Sequence, residues 1–159
     1  MNDSNLHGLA TAVADAVADQ NDEESILRRA VEVIDAFSED FDWTGFYMVR
    51  GDHLEVGPYI GPVTQHTRIG FNRGLCGAAA SQKKSIIVND TGADSRFLAC
   101  SLGTRSEIVV PLMDGDLCLG EIDIDSDQSD FFTEEHRRML ELVAVVVVRR
   151  LKEIKTIGG

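Results

Sequence analysis

The chain has 159 residues, 43% hydrophobic and 26% charged, which is typical of one ordinary globular domain with its own core. Its net charge of −12 argues against nucleic acid or an anionic membrane as a partner, because phosphate binding depends on clustered lysine and arginine. No apolar run approaches the roughly 20 residues that span a bilayer, and the polar N-terminus lacks a secretion-signal layout, so we expect a cytoplasmic protein.

Two helices are predicted first along the chain. Apolar residues recur at spacings of three and four over residues 5–20, and again from Glu23 to Phe37. Asn21-Asp22 between these segments is a natural break and helix N-cap. Both helices are expected to pack on the core.

The periodicity changes after residue 40. The aromatic, β-prone run 43–49, the turn 50–53 and the extended run 54–56 predict a hairpin. Gly57-Pro58 and Gly61-Pro62 then predict the end of the strand and a loop.

The second half continues with a short helix over Gly74–Lys83, a strand at 85–88 and a loop over 89–106 that holds Cys100 in a predicted buried turn or short helix. A second hairpin is predicted from strands 107–113 and 117–125. A helix over about residues 133–154, with Thr133 as its N-cap, ends the chain. Helices at both ends and at least five strands between them predict a single α/β (α+β) domain with an antiparallel-rich sheet.

An acidic strand is the first candidate functional feature. Glu121, Asp123 and Asp125 alternate with isoleucines, so the three carboxylates share one face of the strand. Such a face either meets solvent, or binds a cation or holds a proton. Glu107, in the partner strand of the hairpin, favours the functional alternative, because crowded carboxylates have raised pKa values, donate protons near neutral pH and bind ammonium groups.

The cysteines are the second feature. They are three in number and form no CxxC pair, so free thiols are expected and a metal site is not. Cys100 has Arg96 and Arg105 within five residues to favour its thiolate. Cys76 lies at a predicted helix start, where partial positive charge lowers the pKa of a thiol. Cys118 is predicted to be a core residue on the same face as the two isoleucines.

Trp43 and Tyr47 are the third feature. They are four residues apart on one strand and therefore share a face. Core packing explains them, and they also suit the wall of a pocket for a small apolar or sulfur-containing group.

These motifs together resemble the free methionine-(R)-sulfoxide reductases, a family of stand-alone GAF domains. The likeness covers about residues 40–150 and rests on a series of short elements: Trp43-x-Gly45-Phe46-Tyr47, Gly57-Pro58, Gly70-x-x-x-Gly74-Leu75-Cys76-Gly77, Ala99-Cys100, Ser106-Glu107-Ile108-Val109-Val110-Pro111, Gly120-x-x-Asp123-Ile124-Asp125-Ser126 and Phe132-Thr133. The cysteine, Ser-Glu-Ile and Asp-Ile-Asp-Ser elements, in this order and spacing, are the most specific.

The resemblance implies a GAF-like fold with a central, mostly antiparallel six-stranded sheet. It divides the chain into N-terminal helices at 1–38, sheet and pocket loops at 40–128 and a C-terminal helix at 133–155. The implied activity is reduction of free methionine-(R)-sulfoxide, with thioredoxin as the external reductant and no bound cofactor. Apart from the resemblance, the apolar last helix is a candidate surface for a homodimer.

The resemblance also implies roles for individual residues. Cys100 matches the nucleophile that attacks the sulfoxide sulfur. Glu107, Asp123 and Asp125 match the residues that bind substrate and assist protonation. Trp43 and Tyr47 match the aromatic pocket wall.

The chain departs from the family pattern at several positions, including the stretch Arg96-Phe97-Leu98 before the cysteine, where the family usually has a histidine. His66 stands where the family commonly has its resolving cysteine, which leaves Cys76 as the substitute. Ser101 replaces an aspartate, and Glu121 replaces an apolar residue. A GAF domain that binds a small ligand or senses redox state without catalysis is therefore the alternative function, and a structural or interaction protein is a third.

Overall fold

A single six-stranded sheet forms the centre of the molecule. The computed structural model describes residues 3–93 and 103–158. The strands are β1 (Trp43–Arg50), β2 (His53–Ile60), β3 (Arg68–Gly70), β4 (Ile86–Val88), β5 (Ser106–Asp114) and β6 (Leu117–Ser126). They lie in the order β3-β2-β1-β6-β5-β4, and each neighbouring pair is antiparallel. The predicted six-stranded α+β fold is confirmed.

Within the described residues, four α-helices cover the two faces of this sheet: α1 (Asp3–Val17), α2 (Glu23–Asp35), α3 (Gly74–Gln82) and α4 (Glu134–Gly158). A short 3-10 helix spans Thr91–Ala93. Helices α1, α2 and α4 pack together on one face around a large apolar core that includes Phe46, Ile122 and Ile124. Helix α3 packs on the other face, over a smaller core that includes Trp43 and Tyr47. The two faces follow from the alternation of side chains along each strand.

The helix starts agree with the predicted caps. Asp22 Oδ1 accepts a hydrogen bond from the backbone N–H of Ser25 at 2.8 Å, and Thr133 Oγ1 accepts one from the N–H of His136 at 3.3 Å. The first two helices end two or three residues earlier than predicted, at Val17 and Asp35. No helix in the described part of the chain is both long and apolar enough to cross a membrane.

Strand β2 corrects the predicted break at Gly57-Pro58. The strand continues to Ile60, because a register shift between Gly45 and Tyr47 of β1 places Gly57 and Pro58 in an irregular part of the ladder. A proline is tolerated at a bulge, where no ladder N–H is required. The partner strand β3 pairs with residues 53–55 alone and leaves this part of β2 unpaired on that side.

The predicted face of Cys118 is wrong. Leu112 of β5 pairs with Gly120 and Met113 with Cys118, so the extra residue Leu119 inverts the alternation of β6. Cys118 is buried as predicted, but it packs in the smaller core below α3, away from the isoleucines. The predicted turn that holds Cys100 lies outside the described residues.

Candidate active site

The acidic face of β6 is buried. The exposed fractions of Glu121, Asp123 and Asp125 are 0%, 1% and 1%, and that of Glu107 is 5%. Glu107 pairs directly with Asp125 across the β5–β6 ladder. Strand β6 lies between β1 and β5, and α3 covers this face of the sheet. The solvent-facing alternative for these carboxylates is therefore wrong.

Burial favours the neutral forms of Glu121, Asp123 and Asp125. Loss of solvation raises the pKa of Glu121 and Asp125 well above the ordinary values for these groups, and it also raises the pKa of Asp123. The charge of Asp123 raises the pKa of Asp125 further, and the nearby Glu107 carboxyl group opposes the shift of both aspartates. These three groups therefore keep their protons to higher pH than isolated carboxyl groups do.

Cys76 is the thiol closest to this cluster in the described part of the chain. It is the third residue of α3, and its Sγ donates a hydrogen bond to Asp123 Oδ2 at 3.4 Å. Burial raises the pKa of this thiol well above its ordinary value, and the charges of Asp123, Glu121 and Glu107 raise it further. The predicted lowering of its pKa is wrong, because the partial charge of the helix start is outweighed by desolvation and three acidic neighbours. Cys76 and Cys118, the described cysteines, are free thiols.

An aromatic wall closes one side of the site. Trp43 stacks on Tyr47 at 6.0 Å between ring centroids, which confirms that the two residues share a face. The Trp43 indole N–H donates a hydrogen bond to the carbonyl of Pro62 at 3.1 Å, and the Tyr47 hydroxyl donates one to the carbonyl of His66 at 2.7 Å. The polar atoms of both rings are therefore paired while their faces pack in the smaller core, and Tyr47 also lines the cavity.

Tyr59 is a third member of this wall that the sequence patterns missed. Its ring stacks on Trp43 at 5.0 Å, and its backbone lies opposite Gly45 in the ladder. The predicted break at residues 57–58 placed Tyr59 in a loop. A predicted strand that continued past Pro58 would have included Tyr59.

A small cavity lies where these groups meet. Its lining residues come from the aromatic wall, the start of α3 and the acidic strands: Tyr47, His66, Ile69, Leu75, Cys76, Glu107 and Asp123. Four of the predicted site residues are therefore brought together around one space. Asp125 pairs with Trp43 in the β1–β6 ladder and lies at one end of the acidic face. Cys100 lies outside the described residues.

The GAF domain family model matches residues 22–151. The chain belongs to the GAF domain family. Its six-stranded antiparallel sheet and its helices are the expected fold of such a domain.

Three similar proteins show which GAF domains this chain resembles. It is 36% identical to GAF domain-containing protein A of Dictyostelium discoideum over 121 residues, 74% of this chain and 76% of that protein. It is 33% identical to the free methionine-R-sulfoxide reductase of Saccharomyces cerevisiae over 144 residues, 88% of this chain and 78% of the yeast protein. The solved free methionine-R-sulfoxide reductase of Neisseria meningitidis, in complex with its substrate, superposes with a TM-score of 0.90 at 32% identity.

The superposition covers 96% of this chain and 91% of the Neisseria protein. Within the GAF domains, the chain belongs with the free methionine-R-sulfoxide reductases, as its sequence motifs predicted. That family is one of oxidoreductases, in agreement with the expected enzyme class.

Proposed function

We propose that this GAF domain reduces free L-methionine-(R)-sulfoxide to methionine. The observation that carries the proposal is the buried acidic cluster beside an aromatic wall and a small cavity. This combination suits a free amino acid that carries both an ammonium group and a compact sulfur-containing end. Substrate-bound relatives of the same fold support the same class of ligand.

The acidic cluster is suited to two tasks. An ionised carboxylate among Glu107, Asp123 and Asp125 pairs with the substrate ammonium. A neutral carboxyl group in the same cluster donates a proton to the sulfoxide oxygen, and the raised pKa values of the two aspartates favour the protonated form that this step needs. Trp43 and Tyr47 contact the methyl–sulfur end, where aromatic rings pack favourably on sulfur.

The chemistry is a two-electron reduction by thiols. The Cys100 thiolate attacks the sulfoxide sulfur, the oxygen takes up a proton, and its transfer to the cysteine releases methionine and leaves a sulfenic acid. A second thiol, which we assign to Cys76, displaces the hydroxyl as water and forms a disulfide. A thioredoxin dithiol then reduces the disulfide and becomes oxidised itself. The cycle needs no bound cofactor and suits a reducing, cytoplasmic compartment.

The residue at position 66 favours one competing function. His66 lines the cavity at the position where the family commonly has a resolving cysteine, and a histidine forms no disulfide. A domain that binds methionine or a related molecule without turnover would tolerate this change. The alternative is therefore a ligand-binding or redox-sensing GAF domain.

An assay with dithiothreitol separates the two functions, because this reagent replaces the resolving thiol. Wild-type protein is expected to form methionine from the R form and none from the S form. Cys100→Ser is expected to abolish the reaction, and Cys118→Ser to leave it nearly intact. If wild type forms no methionine, the reductase is excluded, and methionine binding by calorimetry would then support the alternative.

The resolving role of Cys76 needs a second reductant. With thioredoxin and its reductase in place of dithiothreitol, Cys76→Ser is expected to lose most of the steady-state rate while a single turnover per Cys100 remains. An unchanged thioredoxin-linked rate would exclude Cys76 as the resolving thiol.

A further inference from the structure

Glu121 is a fully buried carboxyl group that interacts with the thiol of Cys76. Neither of its side-chain oxygens has a hydrogen-bond partner among the described residues, and its exposed fraction is 0%. Burial of a polar group without a compensating hydrogen bond is unfavourable. The reductase chemistry proposed above assigns it no role. A compensating ligand would explain why an acid is kept here.

Two buried thiols, those of Cys76 and Cys118, sense the charge of Glu121, and Cys76 also belongs to the acidic cluster. The charge of Glu121 and its proximity to the thiol raise the pKa of Cys76, and Glu121 also senses the charge of Asp123. Glu121 and Asp123 are alternate residues of β6 and therefore point to the same side. The Glu121 carboxyl group is thus directed into the cluster that contains the thiol.

Three potential ligand atoms are already gathered beside it. The Cys76 sulfur and one carboxylate oxygen from each of Glu107 and Asp123 lie within 4.8 Å of one another, and all three residues are buried. The Cys76 Sγ–Asp123 Oδ2 distance is 3.4 Å. In a tetrahedral zinc site, with bonds of about 2.0–2.3 Å, neighbouring ligand atoms lie roughly 3.3–3.8 Å apart. Small rotations of these side chains would therefore be sufficient to bring them around one ion.

We propose that Cys76, Glu107 and Asp123 bind a thiophilic divalent cation of the Zn²⁺ class, with the Glu121 carboxyl group beside them as a supporting acid. A thiol together with carboxylates is a donor set for such an ion, whereas Mg²⁺ and Ca²⁺ prefer oxygen ligands alone. The ion would replace the protons that the cluster otherwise holds, because its ligands bind in deprotonated form. These residues form no metal-binding motif in the sequence, since they come from α3, β5 and β6 rather than from one short segment.

A bound ion would also affect the reaction. It would occupy Glu107 and Asp123, two of the carboxylates assigned to the substrate, and it would hold the proposed resolving thiol. Zn²⁺ would therefore inhibit the reductase reversibly. This inhibition rests on the proposed function, whereas the binding of the ion does not depend on it.

Binding is tested with the reduced, metal-stripped full chain and no substrate. Zn²⁺ affinity is measured by competition with a chromophoric chelator, and Co²⁺ is used as a spectroscopic probe. Wild type is expected to bind one equivalent of either metal and to show the near-ultraviolet charge-transfer band of a cobalt–thiolate bond. Loss of even an outer-shell partner weakens metal sites by 10–100-fold, so Cys76→Ser and Glu121→Gln are each expected to weaken Zn²⁺ binding at least about tenfold.

The control variants separate this site from the other thiols. Cys118→Ser and Cys100→Ser are expected to keep both the affinity and the cobalt band, whereas Cys76→Ser loses the band. Circular dichroism verifies that each variant is folded. The proposal is overturned if wild type binds no ion, if Glu121→Gln binds as tightly as wild type, or if the band follows Cys100 instead of Cys76. Methionine formation by chelator-treated enzyme decides the reductase function separately.

Discussion

Gly45 leaves room for the aromatic wall at the centre of β1. A Cβ atom at this position would lie 2.5 Å from Trp43 Cη2 and 2.6 Å from Tyr59 Cβ, closer than such atoms approach in real structures. The ring of Trp43 lies directly over the glycine, and its indole N–H is fixed by the carbonyl of Pro62. The close packing of Trp43 on the strand therefore depends on the absence of a side chain at residue 45.

Gly45→Ala is expected to displace Trp43 and Tyr59 from the pocket wall. Overpacking of a filled core costs typically 1–3 kcal/mol, and the displaced ring would weaken substrate binding. We expect a lower free energy of unfolding in urea and a raised KM for methionine sulfoxide, with a smaller effect on kcat.

Gly8→Ala is the matched control for this variant. Gly8 is an exposed residue of α1, and a Cβ atom there would meet nothing within 4 Å. Alanine is favoured over glycine in a helix by roughly 0.5–1 kcal/mol, so this variant should be slightly more stable and equally active. A Gly45→Ala protein with wild-type KM would show that Trp43 does not contact the substrate.

For single residues, the sequence predicts the orientation of a side chain better than its solvation. Alternation along β6 was sufficient to place Glu121, Asp123 and Asp125 on one face, but it carried no information on what covers that face. Helix α3 buries it, and the same burial inverts the expected pKa shift of Cys76. Local patterns report orientation, whereas solvation depends on elements that are distant in the sequence.

At the scale of the secondary-structure elements, a close backbone contact positions helix α3. A Cβ atom on Gly77 would lie 2.6 Å from the carbonyl oxygen of Gly70 and 3.0 Å from that of Phe71. Both atoms belong to the backbone and cannot rotate away as a side chain would. This contact sets how deeply the start of α3, with Cys76, is inserted against the acidic strands.

Gly77→Ala is therefore expected to lift α3 from the sheet. The strain should lower the free energy of unfolding by about 1–3 kcal/mol, although alanine is the better helix former. The lifted helix should expose Cys76, so we expect faster alkylation of this thiol in the native protein, followed by mass spectrometry. Gly8→Ala again serves as the control. Unchanged alkylation would mean that this contact does not determine the depth of the thiol.

The elements themselves differ in how far they could be predicted. The amphipathic helices and their caps at Asp22 and Thr133 follow from local periodicity and side-chain chemistry, and both were confirmed. The errors in β2 and at Cys118 both arise at irregularities of the ladder. A bulge depends on the partner strand, so a pattern read along one strand does not reveal it.

At the scale of the whole molecule, the sheet order concentrates acidic groups in the interior of an already acidic protein. The central strand β6 carries Glu121, Asp123 and Asp125 beneath α3, while the chain as a whole has a net charge of −12. Each of these three groups has a raised pKa in the folded protein. Folding therefore involves the retention of protons, which makes the stability of the molecule depend on pH.

The sign of this dependence follows from linkage. In the unfolded chain these acids ionise near pH 4, whereas in the folded protein they remain protonated to higher pH. Above pH 4 the folded state thus binds more protons than the unfolded state, and stability falls as the pH rises towards the folded-state pKa values. Urea unfolding should give a lower free energy of unfolding at pH 8 than at pH 5. Each such group contributes a slope of up to about 1.4 kcal/mol per pH unit.

Glu121→Gln isolates one contribution to this slope, because the amide has a similar shape and does not titrate. The variant is expected to lose less stability than wild type between pH 5 and pH 8. Glu39→Gln, at an exposed position in the segment before β1, removes the same charge without burial and should retain the wild-type slope. Equal slopes in wild type and Glu121→Gln would mean that Glu121 is ionised in the folded protein. In that case a bound cation or a rearranged cluster must compensate its charge, and repeating the measurement with a chelator present would distinguish these two explanations.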